Sequence, residues 1–261
     1  PDFGAVWNGA PSGIPYVIVG PDQPKVRVKF QYADESDKGV PPGGAGDGPA
    51  GQAGGDVGWY PIPSDAPIEG GPKSDGDRHI LVIDAANKLL YETFATYPLP
   101  GGGWKAGSGA IFDLTSNRRR PAGWTSADAA GLPIFPGLVR YDEAVERGEI
   151  RHAIRFTCRR TQRGYIAPAT HFASASRDPK LPPMGLRVRL RADFDDRNAP
   201  KSCRAILKAM KTYGLMLADN GGDWFISGSL NPKWNDEELN TLKRVRGKDF
   251  EVIRMEGIVT R

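Results

Sequence analysis

Alternation of apolar and polar residues is the strongest pattern in the chain. Between positions 25 and 32, Val, Val, Phe and Tyr at every second position alternate with Lys, Arg, Lys and Gln. The same period of two recurs in 150–159 and in 186–194. Because successive side chains of a strand point to opposite faces of a sheet, these three stretches are predicted to be half-buried strands.

Other stretches predict strands without a polar face. The segment His79–Asp84 is apolar on both faces, which is typical of a central strand, and Leu89–Thr96 can pair antiparallel with it. Ser108–Leu114 is another predicted strand. Near the C-terminus, Leu215–Ala218 and Trp224–Ser227 flank the sequence Asp-Asn-Gly-Gly, which predicts a tight hairpin.

Helical patterns are few. Apolar residues recur every three or four positions from about Ala199 to Tyr213, with Asn198 as the expected N-cap. A second short helix is predicted after Asn235. The Asn235 side chain can cap its N-terminus, and three acidic residues follow at the positive end of the helix dipole. The sequence therefore predicts a mainly β protein, a two-layer β-sandwich or jelly roll with one or two short helices near the C-terminus.

Glycine and proline are abundant, with 33 and 23 among the 261 residues. The stretch Gly39–Gly58 has no apolar periodicity and is predicted to be a flexible surface insertion. Strand patterns lie on both sides of it, so residues 1–261 are expected to form a single β-rich domain.

Charge and apolar run length bear on partners and location. The formal net charge is only +4, so no nucleic-acid partner is expected, and no apolar run approaches the roughly 20 residues of a membrane span. The sequence begins at Pro1 without a leader pattern, as a mature or trimmed chain would. Cys158 and Cys203 fit no metal or redox motif, and the sequence leaves open whether they pair.

Histidine is scarce, which makes each position informative. His79, His152 and His171 form no metal-binding pair motif, so no metal and no cofactor is expected. His152 alternates with apolar residues and is predicted to be a core residue. Tyr165 and His171 lie in a polar loop, where they are candidates for an acid and a base.

Three carboxylates are candidate catalytic residues. Glu69 is followed by two glycines in a loop, Glu92 shares a face with apolar residues, and Asp128 lies in a turn of small residues. Burial raises the pKa of a carboxyl such as Glu92, which suits a general acid. A pair of carboxylates is the minimum equipment for glycoside hydrolysis.

Arginine and tryptophan supply candidate binding residues. Arginines on the polar faces of two predicted strands would form a basic ladder if those strands were neighbours, and Arg155 and Arg189 are its central members. Trp59 and Trp124 lie near predicted loops, where indole rings can stack on sugars. The sequence contains no glycine-rich nucleotide loop and no esterase elbow, which disfavours nucleotide and ester chemistry.

Several longer segments carry a resemblance to a known family. They include HILVID with LLYE, SADAAGLPIFPGLVRYDE and YGLMLADNG. In these segments the chain resembles a family of exported bacterial proteins, many of them large and multi-domain. The resemblance covers nearly the whole chain and implies a secreted or periplasmic location and one intact domain.

The expected function is that of a secreted carbohydrate-active enzyme, a glycoside hydrolase that cleaves a polysaccharide through paired carboxylates. Two alternatives stay open. One is a non-catalytic module that binds anionic glycans through its arginines. The other is a polysaccharide lyase that uses Tyr165 and His171 while an arginine neutralises a uronate. In each case the partner is a polysaccharide, which can be acidic.

Overall fold

The computed structural model describes residues 1–7, 9–43 and 55–260. In these ranges the protein is mainly β, as the sequence predicts. The strands are β1 (Gly4–Trp7), β2 (Ala10–Ser12), β3 (Tyr16–Val19), β4 (Val26–Phe30), β5 (Val57–Tyr60), β6 (Ile80–Asp84), β7 (Leu89–Phe94), β8 (Tyr97–Pro98), β9 (Trp104–Ala106), β10 (Ser108–Asp113), β11 (Ile154–Cys158), β12 (Arg187–Leu190), β13 (Leu215–Asn220), β14 (Phe225–Ile226) and β15 (Phe250–Val252).

Two four-stranded sheets form a β-sandwich. The first sheet has the order β5-β4-β9-β8 and the second has the order β10-β7-β6-β3, while β1 and β2 form a separate small ribbon. Phe30 and Tyr60 of the first sheet pack with Val82 and Tyr91 of the second in one buried apolar cluster. Strand β6 is buried along its whole length and pairs antiparallel with β7, which confirms the prediction of a central strand.

The third sheet has the order β14-β11-β13-β12-β15. The predicted hairpin between β13 and β14 is wrong, because β13 pairs parallel with β11 and β14 pairs with the other edge of β11. The connecting residues cross the end of β11: the Gly221 N–H donates to the Cys158 carbonyl at 3.1 Å, and the Trp224 N–H donates to the Thr157 carbonyl at 3.0 Å. The Asn-Gly-Gly sequence therefore makes a crossing instead of a tight reversal.

Two α-helices lie near the C-terminus, as predicted. Helix α1 (Lys201–Thr212) packs Ile206, Leu207 and Met210 into the apolar cluster of the third sheet. It starts later than predicted, and no side chain caps it, so the expected Asn198 cap is wrong. Helix α2 (Asp236–Asn240) is capped by the Asn235 side chain, as predicted.

The predicted insertion 39–58 is described only at its ends, and residues 44–54 lie outside the described ranges. Gly39 has φ +63°, and a Cβ there would lie 2.5 Å from the Trp59 carbonyl oxygen. A Cβ on the buried Gly58 would lie 2.9 Å from the Lys38 carbonyl oxygen. Both ends are thus packed parts of the first sheet and its neighbours, and glycine is needed there for close backbone approach.

A connecting segment, residues 126–138, fills the space between the sandwich and the third sheet. Leu81 of β6 packs against Ile134 and Leu138 on the face of the second sheet that points away from the first. Cys158 and Cys203 are both free thiols. Among the helices of the described residues, none has the length and apolar character needed to cross a membrane.

Candidate functional site

A cavity of about 450 Å³ lies at the junction of the sandwich and the third sheet. Its volume falls in the range of about 300–1,000 Å³ that is typical of ligand sites. The described lining residues include no Lys or Arg and are mostly polar or acidic: Tyr32, Glu35, Asp77, Phe94, Ser108, Thr125, Ser126, Ala127, Asp128, Ala129, His171, Ala173, Asp219 and Asn220. Two residues predicted as catalytic, Asp128 and His171, therefore line the same cavity.

Asp128 is held by a buried arginine. Nε and Nη2 of Arg155 donate to the two carboxylate oxygens of Asp128 at 3.1 and 2.9 Å, and Nη1 donates to Ser227. This bidentate pair fixes the orientation of the Asp128 carboxylate. The prediction that Arg155 points outward into a basic ladder is wrong, because β11 is an interior strand and β13 separates it from β12.

Asp219 reaches the same cavity from the end of β13. Its pKa is raised to about 7, first by burial and then by the neighbouring Asp128 carboxylate and a hydrogen bond between the two carboxyls, against the opposing charge of Arg155. Two carboxyls in contact cannot both ionise easily, so one proton is retained by the pair. With its pKa raised to about 7, Asp219 is partly protonated near neutral pH.

Glu35 and His171 form another part of the wall. Nδ1 of His171 lies 2.8 Å from the Ala129 carbonyl oxygen, which can only accept, so Nδ1 carries a hydrogen. Nε2 of the same ring lies 3.9 Å from Oε2 of Glu35. Glu35 is itself oriented by the Thr125 N–H at 3.1 Å. Together these contacts direct a basic ring nitrogen and a carboxylate to the cavity.

Glu69 lies behind the cavity and pairs with His79. Oε2 of Glu69 lies 2.6 Å from Nδ1 of His79, and Nε2 of His79 lies 3.0 Å from the Ala127 carbonyl oxygen. Burial alone would lower the pKa of His79, but the Glu69 carboxylate and its hydrogen bond raise it to about 9. His79 is therefore an imidazolium at neutral pH, and the ion pair supports the segment that carries Asp128.

Glu92 is buried beneath residues 134–135 and does not line the cavity. Its carboxyl accepts from the Ile134 N–H at 2.9 Å and from the Phe135 N–H at 2.9 Å. The pKa of Glu92 is raised to about 7, chiefly by burial and to a lesser extent by nearby Asp128, against these two hydrogen bonds. The raised pKa that the sequence predicts for Glu92 is therefore present. The hydrogen-bond partners of the Glu92 carboxyl are backbone N–H groups of the connecting segment.

The remaining predicted site residues lie outside the cavity lining. Tyr165 is buried, and its ring stacks on Phe172 at 6.4 Å. Arg189 pairs with Glu251 on the surface at 2.5 Å. Trp59 is half-buried in β5. Trp124 is half-buried, and its ring lies under the Arg120 guanidinium at 5.6 Å.

Three acidic residues of the cavity were not predicted from the sequence: Glu35, Asp77 and Asp219. Asp219 follows the apolar run Leu215–Ala218, and an acid at the end of a buried strand is a usable signal. The Asn-Gly-Gly sequence after it indicates a turn and obscures that signal. Glu35 and Asp77 lie in polar loops that carry no periodic pattern.

The histidines are separated in the fold. His152 is partly exposed, and its Nε2 lies 3.1 Å from Glu143, whereas His79 and His171 have the partners described above. His152 thus lies at the edge of the core with a carboxylate partner. No cluster of three or more His, Cys, Asp or Glu side chains suited to a metal ion occurs in the described part of the chain.

Comparison with known proteins gives no match: no protein-family model, no curated protein and no solved structure is similar to the chain.

Proposed function

We propose that the protein is a carbohydrate-active hydrolase that cleaves a glycosidic bond in a polysaccharide outside the cytoplasm, with Asp219 as the proton donor. The observation that carries the proposal is the contact between Asp219 and the Arg155-bound Asp128 in a ligand-sized cavity. A carboxyl with a pKa of about 7 is about half protonated at neutral pH, and the protonated form can release its proton to a leaving oxygen.

The proposed catalytic base comes from Glu35 and His171, which lie together in the cavity lining. The Glu35 carboxylate and Nε2 of His171 lie next to each other in the lining and can accept a proton from an attacking water. They come from loops outside β13, whereas Asp219 comes from β13 itself. An acid and a base separated by the substrate and a water are the arrangement of an inverting glycosidase.

The lining supports an uncharged sugar at the cleavage point. Hydroxyl groups of Ser108, Thr125 and Ser126 can bond to sugar hydroxyls, and Tyr32 and Phe94 offer ring surfaces. An anionic unit would meet the acidic side chains of the wall with no cation in the described lining. A uronate at this position would be repelled, so the proposal favours hydrolysis over uronate elimination.

One observation favours a second candidate function. Asp128 and Asp219 both line the cavity, and Asp128 contributes to the raised pKa of Asp219. Pairs of neighbouring aspartates activate water for the hydrolysis of amides. The second candidate is therefore a peptide or amide hydrolase that uses both aspartates.

The test compares Asp219→Asn with Asp223→Asn, a matched change at an exposed carboxyl of the same connection. Release of reducing ends from soluble neutral polysaccharides and release of amines from casein are measured in parallel. We expect Asp219→Asn to lower glycoside turnover by about 10²- to 10⁴-fold, with proton NMR of the wild-type product showing inversion. Asp223→Asn should retain full activity.

Asp128→Asn separates the two candidates. In the glycosidase, loss of the Asp128 charge lowers the pKa of Asp219 and moves the basic limb of the pH–rate profile to lower pH. In the amide hydrolase, Asp128→Asn abolishes turnover as Asp219→Asn does. Wild-type levels of both activities in Asp219→Asn would contradict both candidates.

A further inference from the structure

Two neighbouring loops beside the cavity carry a cluster of basic residues. We call this cluster the basic rim and define it as Arg159, Arg160, Arg163, Arg177 and Lys180. The Arg163 N–H donates to the Ser176 carbonyl at 2.5 Å, and the Gln162 N–H donates to the Pro182 carbonyl at 3.0 Å. These bonds hold loop 159–163 next to loop 174–182, so the five basic residues lie on two adjacent loops.

The loops that carry the basic rim lie next to residues that line the cavity. The Thr161 hydroxyl lies 3.1 Å from Oδ1 of Asn220, a lining residue. The Arg163 guanidinium lies 5.4 Å from the centre of the Phe172 ring, and that ring stacks on His171 at 5.7 Å with an interplanar angle of 5°. The rim therefore borders the cavity on the side of Asn220 and His171.

The basic rim carries a net positive charge. Between positions 159 and 182 the only carboxylate is Asp178, and Asp223 lies 3.8 Å from Arg159. Five positive and two negative side chains give +3, which is most of the chain's formal charge of +4. No described carboxylate lies within salt-bridge distance of the three remaining outer cations, Arg160, Arg177 and Lys180.

Three exposed arginines elsewhere in the structure differ in this respect. Arg147, Arg151 and Arg189 each have a carboxylate partner, at 2.6, 2.8 and 2.5 Å. Such ion pairs have no net charge, so they leave little positive electrostatic potential at the surface. Arg160, Arg177 and Lys180 keep their positive electrostatic potential, and exposed cations without a carboxylate partner attract polyanions.

We propose that the basic rim binds an acidic polysaccharide whose uncharged units enter the cavity. The acidic cavity lining repels anions, whereas the basic rim attracts them. A polymer fits both surfaces if an uncharged unit lies in the cavity and its charged units lie against the rim. Single-stranded nucleic acid has a phosphate on every unit and would bring one to Asp77 or Asp128. The cleavage part of this inference rests on the proposed function, whereas binding to the rim does not.

The experiment measures binding in the Asp219→Asn background, so that hydrolysis does not consume the probe. The probes are carboxymethylcellulose of low substitution, uncharged hydroxyethylcellulose and a single-stranded DNA oligomer, each titrated by affinity electrophoresis at 50 and 300 mM NaCl. The rim variant combines Arg160→Glu, Arg177→Glu and Lys180→Glu. The control combines Lys201→Glu, Lys208→Glu and Lys233→Glu, three exposed cations with the same change in net charge.

We expect carboxymethylcellulose to bind and to lose about tenfold in affinity or more between the two salt concentrations. The rim variant should lose about tenfold at 50 mM NaCl, and the control less than about twofold. Absence of binding, an equal loss in the control, or equally tight binding of hydroxyethylcellulose or the DNA oligomer would overturn the proposal. If binding behaves as expected but the wild type cleaves no glycan, the proposed function alone has failed.

Discussion

Nε2 of His79 donates to the Ala127 carbonyl oxygen at 3.0 Å, and Ala127 directly precedes Asp128. The other ring nitrogen faces the Glu69 carboxylate, so both neighbours of the imidazole are acceptors. A neutral ring has one donor, and only the imidazolium satisfies both. A charged histidine directly before β6 of the second sheet is thereby coupled to the position of a carboxylate in the cavity.

Replacing His79 should destabilise the protein. In His79→Gln, one amide must serve two acceptors and the partly buried Glu69 carboxylate loses its cation. Removing one partner of such a pair costs about 3 kcal/mol of the free energy of unfolding, which urea denaturation measures. Arg151→Gln, which breaks an exposed pair, should change it by less than about 1 kcal/mol. Equal losses in the two variants would contradict the role given to His79.

Stability should fall as the pH rises from 6.5 to 9. The pKa of His79 is raised from 6.5 to about 9 in the folded state, so the folded protein binds its proton more tightly than the unfolded chain does. The stabilisation is complete below pH 6.5 and is lost by about pH 9, with a total of about 3 kcal/mol. Urea denaturation at several pH values measures the slope, and His79→Gln should flatten it over this window.

Asp219→Asn should stabilise the protein at alkaline pH. The raised pKa of Asp219 means that the folded state loses stability as the pH rises from about 4 to about 7, because the carboxyl must ionise beside Asp128. The amide of the Asp219→Asn variant does not ionise, so the variant avoids this free-energy cost. We expect a gain of about 2 kcal/mol at pH 8 and almost none at about pH 4, read from denaturation curves. A variant less stable than the wild type at pH 8 would refute this explanation.

Gly131→Ala should disturb the wall that carries His171. Gly131 has φ +72°, and a Cβ there would lie 2.1 Å from the Thr170 hydroxyl oxygen and 2.7 Å from the Trp124 carbonyl oxygen. Strain and collision together should cost about 3 kcal/mol of the free energy of unfolding.

Gly101→Ala is the matched control for that change. Gly101 has φ +88°, and a Cβ added there would meet no atom within 4 Å, so its replacement involves strain alone and should cost about 1 kcal/mol. Thermal unfolding measures the fall in melting temperature of each variant. Similar falls in the two variants would show that the neighbours of Gly131 move to relieve the collision.

The sequence predicts the elements of this fold well because each strand has a local signature. The all-apolar stretch at β6 and the polar faces of β4 and β12 follow from residue order alone. The pairing of strands cannot be predicted in this way, because it depends on residues far apart in the chain. Arg155 occupies a polar position of an alternating strand, and only the tertiary structure shows that its side chain is covered, by Asp128 from the connecting segment and by Ser227.

The site was predictable in part for the same reason. Asp128 and His171 stand out in small-residue and polar loops, and both line the cavity. Asp219 owes part of its raised pKa to Asp128, 91 positions earlier, so no local pattern contains that information. Glu35 becomes a wall residue only through its contacts with Thr125 and His171.

The parallel pairing of β11 with β13 has a consequence for the order in which the chain is made. Asp128 and Arg155 exist on the nascent chain well before Asp219, and β13 must insert between β11 and β12, which are both made earlier. The carboxyl pair is complete only once synthesis has passed residue 220. A growing chain therefore lacks the Asp219 carboxyl of this cavity until the strand that separates β11 from β12 has been translated.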